Sequence, residues 1–202
     1  MDDARLAETL PLSTRLAQGR VVSAAAGVFA RLGFARARVE DILESAGIAR
    51  RTFYKYFTSK EDVLSAVYDL ATGELVKAVR AIPAGTPLEV IDYGLDLYLD
   101  YHVENASLLK VLVEQAIRSD SPLAEARRRF RNEIATILDA VVRASSGEAH
   151  DPMLYLALLS ALEGLSLDLL ATRSSAADVA RAKSVMHLLA RRVLGPFDPG
   201  KA

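Results

Sequence analysis

An all-α protein of about nine helices is predicted, on three observations. Apolar residues recur at spacings of three and four along nearly the whole chain. No stretch alternates as a half-buried strand would. Breakers cut the chain at helical intervals: Gly33, Gly47, Pro83 to Pro87, Pro122, Ser145-Ser146-Gly147, Asp151-Pro152, Ser174-Ser175 and Gly195-Pro196.

The elements follow in order. Residues 1–14 are polar and contain Pro11, so a flexible N-terminal arm is expected there. A helix over about 15–32 turns Val22, Ala25, Ala26, Phe29 and Leu32 inward, and Gly33 ends it. A second covers 39–46, with Val39, Ile42, Leu43 and Ala46 inward; Gly47 then suits a left-handed turn. A third covers 49–57, short enough to depend on packing through Ile48, Phe53 and Phe57. Ser59 with Glu61 and Asp62 reads as a capped start for a helix reaching about Ala81. Further helices are expected near 87–104, 106–118, 122–144, 152–172 and 175–194. Ser121-Pro122 and Asp151-Pro152 each put a capping type before a proline at the first helical position.

Composition narrows the class. The 202 residues are 51% hydrophobic and 25% charged, a globular balance. The absence of cysteine removes disulfides, thiolate nucleophiles and Cys-ligated metals. The ten uncharged residues Met153 to Leu162 meet Glu163, short of a bilayer span of about 20 residues. The acidic start lacks a signal-peptide pattern, so a cytoplasmic location is expected. No cofactor or metal is expected: the three histidines, 102, 150 and 187, are scattered, and the common phosphate-loop, nucleophile-elbow and His-Glu metal motifs are absent.

The net charge of −1 hides an asymmetry. Residues 15–60 carry nine Lys and Arg against three acids, whereas 61–202 carry 15 against 20. A basic block on an otherwise acidic chain suits a polyanionic partner for that block. Within it, residues 39–57 have the form helix, glycine turn, short helix, the helix-turn-helix arrangement. A short helix held at a steep angle can enter a major groove about 12 Å wide. Phe53 and Phe57 face inward, leaving Arg50, Arg51, Tyr54 and Lys55 outward. Thr52 lies near the helix N-terminus, where the dipole favours phosphate. A plain helical hairpin in a bundle is the competing account of the same pattern.

The stretch from Val21 to Tyr68 also resembles the DNA-binding domain of TetR/AcrR-family transcriptional regulators. The matching pieces are Phe29-Ala30-Arg31-Leu32-Gly33-Phe34, Val39-x-Asp41-Ile42, Ala46-Gly47-Ile48, Thr52 to Phe57, and Ser59-Lys60-Glu61, in order and at the family's spacing over about 48 residues. Two caps depart from the family pattern: Ala37-Arg38 stands where a small hydroxyl residue usually caps the second helix, and Ala49 where serine often caps the third. Each missing cap costs about 1 kcal/mol locally.

The resemblance implies a helix-turn-helix domain over 15–62, with its motif at about 38–57, and an effector-binding and dimerisation domain over 63–202. It implies that Arg50 and Arg51 read bases, that Thr52, Tyr56 and Lys60 clamp phosphates, that Tyr54 and Lys55 touch a base or a phosphate, and that Arg38 grips the backbone. For each, a plain exposed residue is the alternative. It implies a homodimer through helices near 152–172 and 175–194, binding a near-palindromic operator and released by a small-molecule effector. The apolar helix after Pro152 fits such a seam or a deep single-chain core. Polar candidates for the effector pocket are Tyr98, Tyr101, His102, Glu114, Gln115, Arg118, Tyr155 and Glu163, any of which could instead be a core or surface group. Arg127-Arg128-Arg129 and Arg131 read as a solvated helix face rather than a DNA patch. A helical enzyme or a protein–protein adaptor is the rival function; the enzyme would need an acid or metal cluster that the sequence does not display, and the adaptor would not need Arg50, Arg51, Thr52 and Lys60 together.

Overall fold

A computed structural model describes residues 11–146, 150–172 and 174–195. These form nine helices: α1 (Leu12–Leu32), α2 (Val39–Ala46), α3 (Arg50–Tyr54), α4 (Lys60–Arg80), α5 (Pro87–Glu104), α6 (Ala106–Ala116), α7 (Ala124–Ser146), α8 (Pro152–Ala171) and α9 (Ala176–Leu194). No strand occurs among the described residues. The chain divides into two compact units, residues 1–70 and 71–202, and α4 runs across the division.

In the first unit α1 packs along α2, and Val21, Ala25, Val28 and Phe29 of α1 are buried with Ile42 and Phe53. Both glycines expected to end helices have positive φ, Gly33 at 74° and Gly47 at 62°. Gly47 is left-handed in ψ as well, and its N–H closes on the carbonyls of Glu44 and Leu43. Helix α1 begins at Leu12, inside the stretch expected to be a loose arm; residues 1–10 of that arm lie outside the described residues. The start of α4 is capped as expected, Ser59 Oγ accepting from Asp62 N–H at 3.1 Å.

In the second unit α8 is the central helix, in contact with α5, α6, α7 and α9. That placement explains its apolar character on several faces. Its 20 residues, at mean hydropathy 1.6, are long and apolar enough to cross a membrane, contrary to the expectation from the uncharged run alone. Here it buries Leu158, Leu159 and Leu162 and carries Glu163 into ion pairs with α7. Asp151 caps it through Met153 N–H at 2.9 Å, and Pro152 occupies its first turn. Helix α7 starts two residues later than expected, because Pro122 and Leu123 form a turn in which Ser121 Oγ accepts from Leu123 N–H. Helices α5 and α9 are joined by a row of polar side-chain contacts: Asp92 to Arg191, Asp96 to His187 at 2.8 Å and Asp100 to Lys183 at 2.7 Å. The breaker residues Gly147 and Pro196 lie outside the described residues.

Candidate nucleic-acid interface and apolar cavity

The helix-turn-helix is built from its inner side outward. Phe53 is fully buried and Phe57 nearly so, their ring centroids 5.8 Å apart. These two anchors fix one side of α3 and turn the other to solvent. Helix α3 proper is five residues, not the expected nine. Its hydrogen bonding continues through Tyr56 and Phe57, both donating to Phe53 O, so the tail tightens into a turn. Five residues sum to little macrodipole, so the phosphate attraction expected at Thr52 from the helix end falls away. What remains is charge. Arg51, Tyr54 and Lys55 are exposed, Thr52 is half-buried, and the four line one shallow depression.

The other candidates in this unit are placed as follows. Arg50 is exposed and engaged: its guanidinium pairs with Glu40 at 2.9 Å and lies 5.7 Å from the centre of the Tyr54 ring. Hydrogen bonding with Tyr54, then the charges of Tyr54 and Glu40, raises the Arg50 pKa above its ordinary value. Tyr56 is half-buried, with the Lys55 ammonium 5.5 Å from its ring centre. Arg38 is exposed at the start of α2. A guanidinium accepts nothing, so only half a capping box forms: Arg38 N–H donates to Asp41 Oδ2 at 2.7 Å. Ala49 provides no side-chain cap for α3, as its chemistry dictates.

Lys60 is half-buried. Its ammonium donates to the carbonyls of Phe34 and Ala37 at 2.8 and 2.9 Å and sits 4.3 Å from the Phe34 ring centre. It therefore ties the start of α4 to the α1–α2 loop. Arg20 joins the frame without having been singled out by the sequence. Its Nη2 donates to Ala46 O at 3.0 Å, placing a cation at the C-terminal end of α2 beside the Gly47 turn. Its one sequence signal is its place just before the inward residues of α1.

The second unit contains an apolar cavity among α4, α5, α7 and α8, with about 60 Å³ of free space. Val90, Ile91, Gly94, Leu95 and Tyr98 of α5 face Ile134, Ile137, Leu138 and Val141 of α7 and Leu158, Leu159 and Leu162 of α8. Of the eight predicted pocket polars, Tyr98 alone lines it. His102, one turn further along α5, is buried and stacks on Tyr98 at 4.0 Å, and its Nδ1–H donates to Tyr98 O at 2.8 Å. Burial lowers the His102 pKa to about 4, so the ring is neutral.

Glu163 is buried and accepts from Arg127 and Arg131; Arg131 also donates to Leu156 O and Ser160 Oγ. The arginine run is therefore not simply a solvated face: Arg127 and Arg131 point inward while Arg128 pairs with Glu125 outside. Tyr101 donates to Ala71 O, and burial raises its pKa. Tyr155 is buried and donates to Asp139; burial pushes its pKa up to about 12. Glu114 and Arg118 are exposed and Gln115 is half-buried. Arg118 lies beyond the end of α6 and pairs with Asp120 at 2.8 Å.

Residues 21–67 match the family model described as bacterial regulatory proteins, tetR family. That match covers the helix-turn-helix part of the chain, α2 and α3 with most of α1 and the start of α4. Among its relatives, the HTH-type transcriptional repressor SCO4008 of Streptomyces coelicolor is 26% identical over 130 residues, covering 62% of this chain and 65% of that protein. The HTH-type transcriptional regulator EthR of Mycolicibacterium smegmatis is 38% identical over 71 residues, covering 33% of this chain and 32% of that protein. The match thus spans less than two thirds of either relative's length. Among solved structures, the transcriptional regulator FadR of Bacillus subtilis, in complex with stearoyl-CoA, superposes with a TM-score of 0.73 at 21% identity. The superposition covers 84% of this chain and 96% of that one.

Proposed function

We propose that this chain is a DNA-binding transcriptional regulator of the TetR kind: a repressor that binds a near-palindromic operator as a homodimer and is released by an apolar small-molecule effector. One observation carries the DNA reading. The exposed side of α3 presents Arg51, Thr52, Tyr54 and Lys55 while Phe53 and Phe57 anchor its other side. Arg51 is the first candidate for reading guanine in the major groove, with Arg50 beside it on the Glu40 tether. Thr52, Tyr56, Lys55, Tyr54 and Arg38 are candidates for holding phosphates, and Lys60 supports the frame through its two carbonyl contacts.

Residues up to about 62 form the DNA-binding part in this reading, and the remainder the effector and dimerisation part. Met153, Val185 and Leu188 are exposed apolar residues on α8 and α9, which supports those helices as the dimer seam. The apolar cavity supports a hydrocarbon-rich effector, as does the stearoyl-CoA held by the Bacillus subtilis structural neighbour. The protein would act in the cytoplasm, on chromosomal DNA. Release by population shift needs about 5.5 kcal/mol of differential affinity for full switching.

The test is binding of genomic fragments selected by the purified protein, titrated with salt. Several phosphate contacts predict log affinity falling steeply with log salt. Arg51→Ala is expected to cost about 1–3 kcal/mol and to relax preference at one base pair. A flat salt response would replace this reading with the adaptor one.

A further inference from the structure

Three walls of the cavity end in polar residues that lie together. On α5 the lining runs through Leu95 and Tyr98 and is followed one turn on by His102. On α8 it runs through Leu159 and Leu162 and meets Glu163. On α7 it runs back through Val141, Leu138, Ile137 and Ile134 and meets Arg131, then Arg127. Both arginines donate to Glu163. Glu163 and His102 are buried, at 8% and 5% exposure, and the Arg131 side chain is 12% exposed, while Arg127 reaches solvent with 28% of its side chain. His102 is close enough to Glu163 to feel its charge, yet burial keeps the ring neutral, so the cations at this end are the two arginines.

A buried Arg–Glu–Arg group adds little stability over apolar side chains of the same volume. Its place at the end of a hydrocarbon-lined space points instead to recognition. Arg127 offers Nε and Nη2 together to the two Glu163 oxygens, the planar fork that fits any carboxylate. Glu163 thus occupies the position that a ligand carboxylate of the same shape would take.

We propose that Arg127 and Arg131 form an anion-accepting subsite at the end of the cavity, and that the effector is an apolar chain bearing a terminal carboxylate, which competes with Glu163 for the guanidinium forks. This rests on the reading of the cavity as the effector site and adds the ligand's chemical class to it. The apolar walls take the chain and the arginines take the charge. An uncharged chain fills the walls alone and leaves the ion pairs as they are.

The test compares decanoate with decan-1-ol, equal in chain and different in charge, on the full chain by calorimetry and thermal shift. Decanoate is expected to bind about tenfold more tightly than the alcohol, the scale of a charge-assisted hydrogen bond. Glu163→Gln removes the competing carboxylate and is expected to widen that gap, while Arg131→Met is expected to close it. Should Arg131→Met fail to fold, the wild-type and Glu163→Gln comparisons decide. Equal binding of acid and alcohol to the wild type, or a gap that neither substitution changes, overturns this assignment and leaves the apolar-effector reading standing. Binding of neither probe overturns both.

Discussion

Lowering the pH across the titration range of His102 should destabilise the fold by a predictable amount. Unfolded, the imidazole takes up a proton near its ordinary value of 6.5; folded, burial delays this to about 4. Between those values the unfolded state binds more protons, so stability falls as pH falls. The full effect is about 3 kcal/mol, and about 2 kcal/mol of it has appeared by about pH 5. The assay is urea unfolding followed by circular dichroism at steps from about pH 7.5 to about pH 5, repeated on His102→Gln. Glutamine can donate to the Tyr98 carbonyl as the ring does, but it does not titrate. Wild type should lose about 2 kcal/mol more than the variant over that range. Parallel loss in the two proteins would show that His102 is not held neutral by burial, and the reasoning would fail.

Two further substitutions test the helix-turn-helix frame. Gly47→Ala meets no clash, its nearest neighbour being Arg20 Nη2 at 3.8 Å, so its cost is the left-handed backbone alone, about 1–2 kcal/mol by thermal unfolding. Lys60→Met should cost about 1–3 kcal/mol of stability through its two lost carbonyl bonds and leave the salt slope of DNA binding unchanged. A slope reduced by about one would mean that Lys60 leaves the carbonyls for a phosphate in the complex.

Several of the helices are legible in the sequence because their ends are marked locally. Ser59, Asp151 and Ser175 cap their helices through bonds to residues two or three positions ahead, and Gly47 turns left-handed where no Cβ opposes it. Such signals act over one turn, and the sequence displays them in one turn. The length of α3 is less legible: Phe53 and Phe57 hold the segment, but the bonding after Tyr54 tightens, which spacing does not reveal. Least legible are the charges. Glu163 meets Arg127 across 36 positions and Arg131 across 32, and no local pattern distinguishes an inward arginine from the outward Arg128 beside it. Arg118 misleads for a similar reason. It continues the periodicity of α6, but that helix ends at Ala116 and leaves Arg118 in the following turn.

Helix α5 shows how the second unit divides its work. One side of it, through Ile91, Leu95 and Tyr98, forms a wall of the cavity. The adjacent side carries Asp92, Asp96 and Asp100, spaced by four and answered on α9 by Arg191, His187 and Lys183 in reverse order. Partly exposed pairs of this kind contribute at most about 1 kcal/mol each, so the row adds little to stability. Its consequence is register. Sliding α5 along α9 by one turn would pair each acid with the wrong partner and leave one group at each end unanswered. A movement of α5 that follows filling of the cavity must therefore carry α9 with it or break the row. Because α9 also presents Val185 and Leu188 to solvent, that movement reaches an exposed apolar surface directly from the cavity wall.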